Sequence, residues 1–158
     1  MSVDRRELFR IIGAGVVGSG AAAAQHQHPT PATPVGDYEP RVLSADAYRT
    51  LQRMLEVLLP ADEHAPGAHE AGTARYIDTT LKYGDDNLRN LWIAGLKAVG
   101  SDLGAAKLEE ATQRVTALAA KEMKPETEAE RFFVIFKRTA IDAYYLSDAG
   151  RKSLGYTG

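Results

Sequence analysis

Residues 127–145 read TEAERFFVIFKRTAIDAYY, and this stretch decides the fold. Thr127 followed three residues later by Glu130 is a capping box, in which each side chain bonds the backbone of the other and starts a helix. The following turns carry aromatic and aliphatic residues over more than half of the helix circumference, whereas one core-facing side needs only a narrower stripe. The pattern therefore predicts a helix that is central to the fold, or that also meets a partner.

Helical periodicity continues on the N-terminal side of this stretch, and no segment alternates with the period of a strand. A first helix is expected from the N-cap Ser44 to Pro60, a second ending at Gly84, and a third and fourth over 86–99 and 105–123. Inward positions are expected to include Tyr76, Ile77, Leu81, Leu88, Leu91, Trp92 and Leu108. The fold class is mostly α: a single compact domain of about five helices over 41–158, with an extended N-terminal arm and a C-terminal tail.

Composition excludes several classes of function. The 158 residues suit one domain, and a formal net charge of −2 gives no basic surface for nucleic acid. The absence of cysteine excludes disulfides, a thiol nucleophile, thiolate metal sites and covalent c-type haem. After the first 24 residues no stretch approaches the roughly 20 apolar residues of a transmembrane helix.

The N-terminus has the pattern of a twin-arginine export signal. Arg5 and Arg6 are followed by the apolar pair Leu8 and Phe9 and a soft Gly/Ala-rich run. Small residues end the segment, with Ala22 and Ala24 as an A-x-A cleavage site. Residues 1–24 are thus predicted to be a signal peptide that sends the chain to the periplasm, and the proline-rich 25–40 to be an extended linker.

The same segment contains a literal G-x-G-x-x-G over residues 13–18, with Asp37 at the distance of a ribose-binding acid. A dinucleotide site would need a strand before these glycines and another after them. Pro29, Pro31 and Pro34 stand where the second strand would be, and proline removes a ladder N–H. A dinucleotide enzyme is therefore a weak alternative.

The polar loop after Pro60 raises a second alternative, an exported metal-binding protein. It would use the histidines of the linker and the loop, namely His26, His28, His64 and His69. Their spacing matches no helical ligand pair, so solvated loop histidines are the simpler interpretation. No catalytic motif is recognised: a G-x-S-x-G elbow and an H-x-x-x-H pair are both missing. Asp78 and Asp142, beside tyrosines or near helix ends, are expected to act as caps.

Short motifs along the folded part resemble the gluconate 2-dehydrogenase subunit 3 family. The likeness covers nearly all of 41–158 and accompanies the export signal. It rests on Leu59-Pro60-Ala61-Asp62, Pro66-Gly67-Ala68, Ala71-Gly72, Tyr76-Ile77-Asp78, Phe132-Phe133, Thr139, Tyr144-Tyr145, Gly150 and Leu154-Gly155-Tyr156-Thr157-Gly158.

The resemblance implies an accessory subunit with no catalytic, cofactor or metal residue of its own. In this family the catalytic partner is a flavoprotein of the glucose–methanol–choline oxidoreductase type, which oxidises a sugar or polyol with FAD. It lacks a signal and leaves the cytoplasm as the passenger of the small subunit through the twin-arginine translocase. A cytochrome c subunit often receives the electrons at the membrane.

Such a subunit needs a surface for its partner. Because aromatic residues dominate the energetics of interfaces, we expect the contact to use the aromatic residues of the arm, the central helix and the tail, with one leucine. These residues are Tyr38, Phe132, Phe136, Tyr144, Tyr145, Leu154 and Tyr156.

Overall fold

The computed structural model describes residues 38–156, which form six α-helices, one 3₁₀ turn and no strand. The helices are α1 Ala45–Leu58, α2 Thr73–Tyr83, α3 Asp86–Val99, α4 Leu108–Ala119, α5 Glu128–Leu146 and α6 Asp148–Ser153, and the 3₁₀ turn Leu103–Ala105 precedes α4. The mostly helical fold class is confirmed. The signal peptide, most of the linker, the glycines of 13–18, Asp37 and the last two residues lie outside the described residues.

Helix starts follow the cap residues in the sequence. The Ser44 hydroxyl accepts a hydrogen bond from the Ala47 N–H at 3.2 Å, as expected of an N-cap. The capping box of α5 is complete, because the Glu130 N–H donates to the Thr127 hydroxyl at 3.2 Å and the Thr127 N–H donates to the Glu130 carboxylate at 3.0 Å. These local bonds fix where α1 and α5 begin.

The stretch that decides the fold forms the central helix. α5 packs against α2, α3, α4 and α6. Phe133 and Phe136 are fully buried, and Phe132 meets Trp92 of α3 edge-on with ring centroids 5.2 Å apart. The excess of aromatics on α5 is therefore explained by contacts on several sides within the same chain.

Three expected core positions are wrong. Tyr76, Leu91 and Leu108 are 47%, 41% and 47% exposed. Tyr76 lies on the side of α2 away from the buried Ala74, Ile77 and Leu81, and Leu108 is the first residue of α4. The fourth helix also begins later than expected. Residues 103–105 form a 3₁₀ turn instead, and Gly104 lies so close to α1 that a Cβ on it would come within 2.8 Å of the Thr50 nitrogen.

The loop between α1 and α2 is folded back on itself. The Asp62 carboxylate accepts hydrogen bonds from the N–H groups of His64 and Ala65, both at 2.8 Å, and the Ala68 N–H donates to the Leu59 carbonyl at 2.9 Å. Ala68 is consequently buried. The loop is therefore held in one conformation where it meets the start of α2.

The chain after α5 turns into a short helix where a tail was expected. The Ser147 hydroxyl caps α6 by accepting from the Gly150 N–H at 3.0 Å. Gly150 fits against α5 so tightly that a Cβ would lie 2.0 Å from the Tyr144 carbonyl oxygen. α6 therefore packs closely on the end of α5.

Gly95 of α3 tests the packing of the central helix. Gly→Ala normally favours a helix by about 1 kcal/mol, but a Cβ here would lie 2.0 Å from the Phe132 ring. We expect Gly95→Ala to lower the free energy of unfolding by about 1–3 kcal/mol through overpacking, measured by urea denaturation. The exposed neighbour change Ala94→Ser should stay within about 0.5 kcal/mol. Unchanged or increased stability of Gly95→Ala would contradict the packing described.

Candidate functional site

A buried carboxylate holds the arm that leads from the N-terminal segment into the folded domain. Asp78 of α2 is fully buried. Its oxygens accept hydrogen bonds from the Tyr38 hydroxyl at 2.7 Å and from the N–H groups of Arg41, Val42 and Leu43 at 2.7, 3.2 and 3.0 Å. We call this arrangement the Asp78 clamp. It fixes the point at which the preceding residues leave the domain.

The clamp favours a charged carboxylate. Burial by itself raises the pKa of Asp78, but the four donated bonds outweigh it, the strongest coming from the backbone N–H groups of Arg41 and Leu43. The pKa of Asp78 is therefore held below its ordinary value. The ionised form is stabilised by these donated hydrogen bonds.

An open cleft of about 330 Å³ lies beside the clamp, and we call it the Tyr38 cleft. It is bounded by the arm, the first three turns of α1 and the segment from the loop into α2. Its lining includes Tyr38, Tyr48, Arg49, Gln52, His69 and Arg75. Acidic side chains do not occur in that lining, so the cleft presents positive charge and aromatic surface.

The aromatic rings of the cleft are held in place. The ring centroids of Tyr38 and Tyr48 are 5.7 Å apart, and the Arg75 guanidinium carbon lies 5.3 Å from the Tyr38 centroid. Burial raises the pKa of Tyr48 to about 12, so its phenol remains neutral in the physiological range. The charge of the cleft therefore comes from its cationic side chains.

An apolar surface lies at the other end of the chain. Tyr145, Leu146, Leu154 and Tyr156 are 36%, 59%, 67% and 68% exposed, and we call them the C-terminal patch. They belong to the end of α5 or follow α6, which packs on α5. Exposed apolar residues concentrated in one segment of the chain are candidates for an interaction surface.

The end of α5 is bound to the folded loop before α2. Tyr144, next to the patch, donates its hydroxyl to the Pro66 carbonyl at 2.6 Å. Pro66 is two residues from Ala68, which lines the cleft. This bond fastens the end of α5 to the loop that carries one lining residue of the cleft.

The residues expected to contact a partner separate into two groups. Tyr145, Leu154 and Tyr156 are exposed, and Tyr38 is half-buried in the cleft. Phe132, Phe136 and Tyr144 are 3%, 0% and 1% exposed, so these three are removed from the expected contact surface. The physical reason is that other helices of the same chain surround α5, so these rings pack in the core.

The histidines of the loop do not gather into a site. His64 lies 3.5 Å from the Glu63 carboxylate on the exposed surface, and His69 faces the cleft. Within residues 38–156 no three potential metal ligands come together. His26 and His28, the arginines Arg5 and Arg6, Leu8, Phe9 and the cleavage residues Ala22 and Ala24 lie outside the described residues.

None of the helices in the described part of the chain is both long enough and apolar enough to cross a membrane. Residues 38–156 also supply no strand for the βαβ unit that the glycines of 13–18 would require.

Comparison with known families agrees with the motifs in the sequence. Residues 45–158 match the family model described as Gluconate 2-dehydrogenase subunit 3. The chain belongs to the gluconate 2-dehydrogenase subunit 3 family. Membership assigns it to a subunit of an oxidoreductase and implies a partner dehydrogenase complex. No curated protein and no solved structure matches the chain significantly.

The role of Asp78 in this family member was missed from the sequence. The sequence, which places it close to Tyr76, predicts a helix cap, yet Asp78 lies in the middle of α2 and is buried. The available signal was its position: Ala74, Ile77, Asp78 and Leu81 follow i, i+3, i+4, i+7, which places the carboxylate on the inward stripe. A charge on that stripe requires partners, and the arm supplies them.

The clamp predicts an acid-dependent loss of stability. Asp78→Asn weakens the acceptor for three backbone N–H groups, and we expect it to lower the free energy of unfolding at pH 7 by about 2–4 kcal/mol. Since the pKa of Asp78 is lower in the folded chain, its contribution is present above the unfolded pKa and is lost as pH falls through the folded pKa.

The difference between wild type and Asp78→Asn should therefore narrow as the medium is acidified below about pH 4, in denaturant titrations at a series of pH values. Asp142→Asn, an exposed carboxylate on α5, is the control and should change stability by less than about 0.5 kcal/mol. A difference that stays constant down to strongly acid pH would argue against an ionised Asp78.

Proposed function

We propose that this chain is the non-catalytic small subunit of a periplasmic FAD-dependent sugar or polyol dehydrogenase. It carries the export signal for a catalytic flavoprotein of the glucose–methanol–choline type, escorts that protein through the twin-arginine translocase and remains bound to it as a structural partner. The single observation that carries the proposal is the family match over residues 45–158.

Two features of the chain support this role. The twin-arginine pattern of residues 5–9 is suited to export of a cargo that is already folded, and a flavoprotein loaded in the cytoplasm is such a cargo. The C-terminal patch offers a surface on which a partner would bury exposed leucine and tyrosine side chains. An escort needs an export signal and a docking surface on one chain, and this chain offers a candidate for each.

The proposal assigns the chemistry to the partner. FAD binding and removal of hydride from the sugar or polyol belong to the flavoprotein, and a cytochrome c subunit is a further proposed member that passes electrons on at the membrane. The residues of this chain would bind and position the flavoprotein and direct its export.

Export of the partner tests the proposal. Replacing Arg5 and Arg6 by lysines should retain the flavoprotein in the cytoplasm, because the translocase would no longer read the signal. Immunoblots and dehydrogenase assays of periplasmic and cytoplasmic fractions measure this, with Arg10→Lys as the matched control that should leave export unchanged. Arrival of the flavoprotein in the periplasm with the lysine pair would contradict the escort role.

The C-terminal patch makes a separate prediction. Tyr145→Ala combined with Tyr156→Ala should weaken binding of the flavoprotein at least about tenfold, because buried tyrosines at an interface often contribute about 2 kcal/mol or more. Affinity is measured by co-purification and by titration of the two subunits. Met123→Ala, which alters a 96% exposed residue between α4 and α5, should bind as wild type. Equal binding by the double variant would exclude the patch from the interface.

A further inference from the structure

The Tyr38 cleft is pre-formed, because contacts within the chain hold its walls in place. The 2.7 Å hydrogen bond to Asp78 holds the Tyr38 ring in place, and α1 supplies Tyr48, which is almost fully buried. The remaining wall is the folded loop with its buried Ala68. Pre-formed clefts lose little entropy on binding, so this one is suited to recognition.

The charges of the cleft favour an anionic group. Arg49 is already paired with Asp46, so it is partly neutralised. Arg75 is exposed and has no ion-pair partner among residues 38–156. The nearby Asp78 is occupied by its four donors. Arg75 is therefore the cation of the cleft that is left for a ligand carboxylate.

The contact with Tyr38 prepares Arg75 for that role. A guanidinium over an aromatic face uses its face for the cation–π contact, while its N–H donors lie in its own plane. They match the two oxygens of a carboxylate, which Arg binds in a bidentate manner. Gln52 adds an amide on the α1 wall for backbone groups of an extended chain.

We propose, on the basis of the function proposed above, that the Tyr38 cleft binds an extended acidic segment of the flavoprotein, with an aspartate or glutamate of that segment paired to Arg75. A volume of about 330 Å³ accommodates a few side chains of a peptide and is small for a whole domain.

Binding measurements on coexpressed, purified subunits test whether the positive charge of Arg75 contributes to the contact. Arg75→Glu should weaken the affinity of the full-length chain for the flavoprotein at least about tenfold, because like charges then face each other. Arg75→Lys should lose less, and added salt should reduce the difference between wild type and Arg75→Glu. Lys124→Glu makes the same change of charge at an exposed residue outside the cleft and should bind as wild type. Wild-type affinity of Arg75→Glu overturns the inference.

A photo-crosslinking amino acid at Gln52 identifies the occupant directly. In the coexpressed complex we expect crosslinks to a flavoprotein peptide that contains aspartate or glutamate, whereas the same amino acid at Lys124 should not give that peptide. Crosslinks only to residues 25–37 of the same chain, with Asp37 as their anion, or no crosslink at all, overturn the inference. Failure of the wild-type chain to recover any flavoprotein would instead overturn the proposed function, so the two failures are distinguishable.

Discussion

The structure depends on the burial of one charge. Asp78 lies on the inward stripe of α2, and an unpaired carboxylate there would cost several kcal/mol. The arm offsets that cost by donating four hydrogen bonds to the carboxylate, from three consecutive backbone N–H groups and one hydroxyl. As a result the arm cannot leave α2 without exposing a buried charge. The N-terminal residues therefore leave the domain at one fixed place, and Tyr38 becomes a wall of the adjacent cleft.

This arrangement connects the fold with the proposed role. The proposed role places an export signal before the arm and a docking surface on the domain that follows it. The Asp78 clamp defines where the arm begins, and the Tyr144–Pro66 bond connects the end of α5 to the loop before α2. Two polar contacts with long sequence separation therefore fasten the arm and the end of α5 to the rest of the domain.

Local signals in the sequence predicted most of the helices. The cap residues and the capping box of α5 require only neighbours three residues away, so the starts of α1, α3 and α5 were found correctly. The 3₁₀ turn before α4 and the short α6 were not, because each depends on a glycine touching the backbone of a distant or differently oriented element. The partner-binding surface was predicted only in part, because Phe132, Phe136 and Tyr144 are buried. An aromatic helix has the same sequence pattern whether its rings face a partner or the core of its own chain. Only packing on several sides separates the two cases.

Purification of the tagged chain from the periplasm under native conditions tests the central claim most directly. If the chain is the small subunit of a flavoprotein complex, it should elute with a larger polypeptide that has no signal of its own, show flavin absorbance and release FAD on denaturation. A chain that elutes alone and carries no flavin, from cells that are expressing the dehydrogenase, would contradict the account.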